Sequence, residues 1–387
     1  MKLFILMLAP FAFGTGAYLV SGLLEPMATE LGVSVASVGQ LQSIFAMTCA
    51  LAGPVLAPMF SGMGRKPLLV GILLLLAMAN ALTALGTSFT TLVVLRVFAG
   101  AVGALTLPIA STVAVLLVND QERPKALAAV FAGNSLAFMI GVPIGGLVGS
   151  AFGWQAGFWL AAAFCVAVAL LVQIAIPKPA PFSVAPATKS LSMTRPPFPN
   201  LFGVTYLSFA ASFATVGYIA QLSLGAAGLG TLGTGAMQAL IGVGSLVGLL
   251  IGARLAQKHG TAILPALLFA IALTQLAMFG LFHTGFAQIV QVALLSLVIL
   301  FGSAALFAIA PIVQTRLAME SGASVTIAMA INGSMLFLGQ AGGIALGGLA
   351  ISYSGADLIG VSGGSVAVIA ALIARRIQPA EPPLQPI

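Results

Sequence analysis

The chain has 387 residues, 60% of them hydrophobic and only 5% charged, with a formal net charge of +7 and a mean hydropathy of +1.17. A soluble domain carries about 25% charged residues, so a water-facing globule is excluded and the lipid bilayer must cover most of the outer surface. The basic excess does not point to nucleic acid, because Lys and Arg stand singly or in pairs between apolar runs and form no basic, aromatic-interleaved face.

A helix needs roughly 20 apolar residues to cross the hydrocarbon core. That ruler predicts six spans in the first half, over Leu3–Leu24, Val35–Phe60, Pro67–Gly86, Thr91–Val118, Ala126–Ser150 and Gln155–Ile176. Six more follow over Asn200–Leu222, Thr231–Ala256, Thr261–Phe282, Phe286–Ile309, Ser324–Ile351 and Ala356–Ala374. The first segment follows Lys2 like a signal peptide, but it lacks an A-x-A-like site and is long enough to span. The expected organisation is a six-helix bundle over 1–176, a Pro-, Ser- and Lys-containing linker over 177–199, a second bundle over 200–377 and a disordered Pro-rich tail over 378–387.

Charge placement tests this count. Alternate loops hold Lys2; Arg65 and Lys66; Arg123 and Lys125; Lys178, Lys189 and Arg195; Arg254 and Lys258; Arg316; and Arg375 and Arg376. The other loops hold Glu25, Glu30, His283 and Asp357 and no Lys or Arg. The positive-inside rule then predicts that both termini and the linker are cytoplasmic, in a bacterial inner membrane. One missed or invented span would scramble the segregation.

The halves also repeat. Gln42 and Gln238, Ala57 and Ala253, and Gly64 and Gly260 all lie 196 residues apart. Asn134 and Asn332, Gly141 and Gly339, and Gly145 and Gly343 lie 198 apart. Spans one and seven start on the same side, so the repeats are parallel, related by an axis along the membrane normal.

Several motifs carry a family resemblance. Gly22-Leu-Leu-Glu-Pro-Met-Ala-Thr-Glu-Leu-Gly-Val-Ser-Val leads into Gly39-Gln40-Leu41; Gly64-Arg65-Lys66 follows span two; Arg96-Val-Phe-Ala-Gly100 lies in span four. Span five holds Gly141-Val-Pro143-Ile-Gly145-Gly146, followed by Phe152-Gly153-Trp154. Together these resemble the major facilitator superfamily, and within it bacterial drug–proton antiporters of the arabinose-efflux-permease type. The resemblance implies an all-α membrane protein of 12 transmembrane helices in two pseudo-symmetric bundles around a cavity lined by spans one, four, seven and ten. It also implies alternating access. The sequence departs from the family pattern at Ser61 and Gln257, where the loop motif and its repeat usually carry an acid, and at Ala17, where many relatives place a carboxylate.

Arg96 is the one charge well inside a span, a costly position that calls for a partner or a wet cavity. The sequence leaves two roles open for it: a structural Arg bonded to carbonyls, or a cavity residue that binds substrate or tunes a carboxylate. Glu25, at the end of span one, is the nearest candidate for proton exchange. Tyr18 and the mid-span amides Gln42, Asn134, Gln238 and Asn332 are candidate substrate contacts, with core packing and interhelical bonding as the plainer roles. Pro143 should bend span five. The Gly141, Gly145 and Gly149 stripe, and those of Gly244, Gly248 and Gly252 and of Gly339, Gly343 and Gly347, put glycine on one helix face and permit close crossings.

No metal, cofactor or enzymatic chemistry is expected: the two Cys and two His are isolated and no Walker-type loop occurs. The expected function is export of small neutral or amphipathic molecules by a monomeric carrier in exchange for protons. Two alternatives stay open: a facilitator or uptake carrier of the same fold, and a non-transporting membrane sensor or scaffold.

Overall fold

A backbone polar group cannot be left open in hydrocarbon, so each span is a helix. In the computed structural model, residues 1–60, 62–177, 195, 197–321 and 324–377 are described. The predicted linker lies mostly, and the predicted tail wholly, outside the described residues.

In the first half, α1 (Lys2–Tyr18) runs into a 3₁₀ turn over Leu19–Gly22 to complete span one. The short α2 (Leu24–Leu31) follows, then span two, α3 (Val35–Met59), and span three, α4 (Arg65–Ala84). Span four is α5 (Phe89–Gly103) with α6 (Thr106–Leu116), and span five is α7 (Arg123–Leu136), a π turn over Ala137–Gly141, and α8 (Val142–Phe152). Span six is α9 (Trp154–Ala175). In the second half, span seven is α10 (Phe198–Val216), and the short α11 (Ile219–Ala227) leaves its axis by 56°. Spans eight to twelve are α12 (Thr231–His259), α13 (Leu264–Phe282), α14 (Gln288–Ser321), α15 (Val325–Tyr353) and α16 (Leu358–Ala374). Two hydroxyls start helices at the Glu- and Asp-bearing face, here the acidic end: Ser34 caps α3 by accepting from the Ser37 N–H, and Ser88 caps α5 by accepting from that of Thr91.

Among the described residues each predicted span corresponds to a helix or a run of helices, with three differences from the prediction. Leu24 and Ile219–Leu222 belong to α2 and α11, which lie beyond the spans rather than inside them. Each of these short helices ends on a left-handed glycine, Gly32 and Gly228, both at φ 63 and again 196 residues apart. Only glycine takes that cap without strain, so the internal repeat extends into the connections. Secondly, span ten continues past Ile309 to Ser321 and draws Arg316, predicted in a loop, into an i,i+4 ion pair with Glu320 at 2.7 Å. Thirdly, span five carries a π turn ahead of Pro143 that the sequence did not predict. The turn, over Ala137–Gly141, absorbs the missing bond, and Lys125–Phe152 remains one continuous span.

The glycine stripes do their packing within each half. A Cβ on Gly248 would strike the Ala304 carbonyl of α14, and one on Gly252 that of Ala308. On α15, a Cβ on Gly343 would strike the Ala210 carbonyl of α10, and one on Gly347 would lie 2.6 Å from that of Ala214. In the first half, Gly145 and Gly149 take Leu19 and Leu23, and a Cβ on Gly100 would lie 2.6 Å from the Phe45 carbonyl of α3. Gly146, in the same motif, meets nothing within 4 Å.

The halves meet along two seams, α3 against α15 and span five against α12. Near mid-membrane, Ser43 donates to the Ala341 carbonyl at 2.8 Å, and the Ser135 and Ser245 hydroxyls lie 2.7 Å apart. At the acidic end, Tyr218 fits between Gly39 and Gly348 and donates to the Ala36 carbonyl, while Gln40 Nε2 donates to its hydroxyl, both at 3.4 Å. Along α3 the exposure rises toward the opposite, basic end: Leu51, Val55 and Met59 are each more than 60% exposed.

Alanine at Gly248 or Gly343 should therefore lower the thermal stability of the detergent-purified protein by about 1–3 kcal/mol, since a backbone must move. Gly146→Ala should leave stability unchanged or raise it by up to about 1 kcal/mol. Equal losses at all three positions would show that the stripes are not the packing contact.

Candidate functional site

Where the seams meet the centre of the membrane, three aromatic rings and an amide come together. Tyr18 of α1 stacks on Phe138 of the π turn with centroids 4.4 Å apart, and Phe213 of α10 lies 6.0 Å away. The Tyr18 hydroxyl, buried in this group, donates to Gln340 Oε1 of α15 at 3.3 Å, so the bond joins the halves. The π turn helps to place Phe138, because its extra residue changes the angle at which following side chains leave the axis.

Behind Phe138 and Phe213 a cavity of about 40 Å³ enters the second half. Its polar lining is Ser212 and Thr215 of α10, Thr274 and Gln275 of α13, and Ser303 of α14, with Ile241, Met278, Ile299 and Phe307 among its apolar walls. The lining carries no charge. It draws on spans seven to ten and reaches the first half through Phe138, rather than on the expected spans one, four, seven and ten. Thr215 donates to Gln275 Oε1, and Gln275 Nε2 donates to the Ala211 carbonyl at 3.0 Å. The Ser212 oxygen, in contrast, has no partner among the described residues.

Of the predicted contacts, Tyr18 stands in this site. The four amides do not gather there. Gln238 Nε2 donates across the seam to Ser21 at 3.3 Å, near the acidic end. Asn332 accepts from Thr205 at 2.7 Å within the second half. Gln42 is buried in α3 beside the seam with its Nε2 unpartnered, and the unpartnered Asn134 Oδ1 faces Gly14 of α1. Glu25 is exposed on α2 at a surface pocket of the acidic end, with Thr29, Glu30 and Thr231. It does not reach Arg96. Glu30 accepts from Trp154 Nε1 at 2.9 Å and from Gln155 Nε2, docking α2 on the start of α9. His283 and Asp357, placed in separate loops by the sequence, pair at 3.2 Å.

Arg96 is 1% exposed inside the first half. Its Nη1 donates to the Gly16 carbonyl at 3.2 Å and its Nη2 to Thr83 Oγ1 at 3.3 Å. Its guanidinium carbon lies 5.0 Å from the Phe158 ring centroid and 5.8 Å from that of Phe45, within cation–π range. The structural role left open by the sequence is the one the contacts describe: the cation ties span four to spans one and three, two residues from Tyr18. In the loop motif, Gly64 caps α4, Arg65 Nη1 donates to the Phe60 carbonyl at 3.4 Å and Lys66 Nζ to that of Gln173 at 2.8 Å. Ser61 lies outside the described residues. Of the residues that build the site, Gln340 is legible in the sequence only as one more mid-span amide, beside Gly339. Phe138, Phe213 and Ser212 carry no signal in so apolar a sequence.

Arg96→Ala should cost about 2–4 kcal/mol in thermal unfolding, because it opens a cavity and leaves Thr83 and the Gly16 carbonyl with one partner fewer. Arg96→Met, which keeps the length and removes the uncompensated charge, should cost clearly less. Equal losses would place the stabilisation in the charge rather than in the packing.

The sequence model of the Major Facilitator Superfamily matches residues 6–322. The chain is 33% identical over 350 residues to a chloramphenicol resistance protein of Streptomyces lividans, a match spanning 89% of this chain and 87% of that protein. It is 26% identical over 379 residues to the inner membrane transport protein YdhP of Escherichia coli strain K12, spanning 97% and 96%. Its fold matches a bacterial homologue of the human lysosomal transporter Spinster in an inward-facing, occupied conformation, with a TM-score of 0.75 at 16% identity over 97% of this chain and 96% of that one. It also matches the D-xylose–proton symporter, with a TM-score of 0.74 at 18% identity over 97% of each chain. With two bundles, twelve spans and a family match over most of its length, the chain belongs to the Major Facilitator Superfamily, a family of transporters.

Proposed function

We propose that this transporter exports small, neutral, amphipathic aromatic compounds from the cytoplasm by alternating access, in exchange for protons. The observation that carries this reading is the uncharged aromatic and amide site where the halves meet, Tyr18 and Gln340 with Phe138 and Phe213. Such a site binds ring faces and one or two hydrogen-bonding groups, and a permanent cation would find no acid in it. The resistance protein of Streptomyces lividans, similar over most of its length, supports export of a compound of that class. With the basic end in the cytoplasm, the seam bonds at the acidic end and the exposed basic end of α3 correspond to a carrier open to the inside.

Proton exchange needs a titrating group. All seven carboxylates of the sequence lie outside the middles of the predicted spans, and of those at the acidic end Glu30 is engaged by Trp154 and Gln155 and Asp357 by His283, which leaves Glu25, at the pocket there, as the candidate to meet protons from the outer solution. Arg96 acts on the site by positioning, since its bond to Gly16 holds the turn that carries Tyr18. The same lack of a buried acid favours a second reading, a proton-independent facilitator.

Everted vesicles energised to an acid interior and loaded with a quenched pH-sensitive dye separate the two. Chloramphenicol should restore fluorescence in wild type, and Glu25→Gln should abolish that recovery. Tyr18→Phe, which deletes one bond of about 1 kcal/mol, should raise the half-saturating concentration about fivefold. Entry of labelled chloramphenicol without any fluorescence recovery would establish the facilitator and reject antiport.

A further inference from the structure

The cavity behind Phe138 and Phe213 has a hydrogen-bonding sense that can be read from its walls. Thr215 donates its proton to Gln275 Oε1, Thr274 to the Ile271 carbonyl at 2.8 Å, and Ser303 to that of Ile299 at 2.7 Å. One N–H of the Gln275 amide goes to the Ala211 carbonyl, which leaves its second N–H as a donor beside the hydroxyls. These hydroxyls therefore face the cavity with acceptor lone pairs and no proton to give. Ser212, 94% buried and lining the cavity, is the exception: its hydroxyl is unpartnered and can both donate and accept. Buried hydroxyls left without a partner are uncommon in folded proteins and point to a missing one. The volume of about 40 Å³ has room for a guest of a few atoms, since a single water needs roughly 10–15 Å³ on this measure.

The internal repeat gives an independent view of the same place. At the spacing of 196, Ser212 is the counterpart of Gly16, whose carbonyl binds Arg96, and Ile241 is the counterpart of Phe45, beside whose ring Arg96 lies. In the first half this region is filled by a guanidinium that belongs to the protein. In the second half it is open beside the aromatic site and lined with acceptors.

We propose that this cavity is a docking subsite for a neutral hydroxyl group of the transported molecule, which donates to the acceptors of Ser303, Thr274 or Thr215 and accepts from Ser212. A guest that only accepts, such as an ether or nitro oxygen, would leave those lone pairs unanswered. An ammonium would donate, but it would be a charge with no acid to balance it in the membrane interior. The inference rests on the export reading above and adds to it the group by which a substrate is selected.

Chloramphenicol, which carries hydroxyls, and its methyl ethers are the probes, tested in everted vesicles and by calorimetric titration of the detergent-purified protein. Wild type should export the alcohol with a half-saturating concentration about tenfold below that of the ether modified at the docked hydroxyl. Because the added methyl keeps the ether oxygen out of a cavity with room for only a few atoms, Ser212→Ala should narrow that difference by weakening the alcohol, leaving the ether within twofold of its wild-type value, which also shows that the variant is folded. Equal loss for both compounds, or no loss for either, as expected of a hydration site only, would overturn the proposal. If neither compound crosses wild-type vesicles yet the alcohol binds with the Ser212-dependent preference, the export reading fails and the docking site stands. If neither crosses and neither binds, the docking site is overturned for this class of ligand.

Discussion

Lipid tails are as apolar as leucine, so nothing in the bilayer drives the spans together as water drives a soluble core. Close approach of backbones has to supply what hydrophobic exclusion cannot, and the glycines of this chain stand where it does. Gly248 and Gly252 let α12 lie on the carbonyls of α14, and Gly343 and Gly347 let α15 lie on those of α10. At such distances dispersion contacts accumulate along the whole helix, and weak Cα–H to carbonyl contacts add to them. Each half is thereby a rigid body. On the seams glycine also gives room, Gly39 and Gly348 to the Tyr218 ring and Gly242 to the backbone at Met139, but there side-chain hydroxyls and amides carry the hydrogen bonds.

Against that background the few polar groups are conspicuous, and the two halves use the same region differently. The first half places Arg96 among Gly16, Thr83, Phe45 and Phe158, where two of its N–H donors find acceptors and two rings lie within cation–π range. The second half replaces that cation with hydroxyls and an amide around open space. A duplicated architecture has thus become one half that is braced and one half that can receive something. The asymmetry lies in residue choice and in local backbone, since span four is divided into α5 and α6 where span ten is one helix.

Much of this was legible in the sequence because membrane rules are strict. Length and hydropathy set the spans, the alternation of Arg65, Lys66, Arg123 and Lys125 with Glu25 and Glu30 fixed their number, and Gln42 with Gln238 exposed the duplication. The bends were not legible. The 56° turn before α11 and the π turn before Pro143 are backbone choices made within runs whose composition is uniformly apolar. The site itself was half visible. Tyr18 and the amides were rare enough to notice, but Tyr18 pairs with Gln340, 322 positions away, and no periodicity within one span reports which of several buried amides it will meet. Glu25 reads in the sequence as the end of span one, whereas α2 carries it out to the surface at the acidic end.

The bonds between the halves differ in length, and their weakness at one rim suits a rocking carrier. Ser43 to Ala341 at 2.8 Å and Ser334 to Ala50 at 2.9 Å on one seam, and Ser245 to Ser135 at 2.7 Å on the other, are short, while Tyr18 to Gln340 is 3.3 Å. At the acidic end Ser150 and Thr231 lie 3.1 Å apart, and the bonds of Gln238 to Ser21 at 3.3 Å and of Tyr218 at 3.4 Å are longer. When two rigid bodies tilt about a common centre, groups near the axis move little and groups at the rim move far. Short bonds beside the pivot can then persist through the cycle while weak ones at the rim are broken and reformed. A strong latch at the rim would trap one state, because an alternating-access cycle requires the two states to lie within a few kcal/mol of each other. Tyr218, wedged between Gly39 and Gly348 and held by two bonds at the limit of hydrogen-bond length, closes the acidic end by shape more than by bond strength.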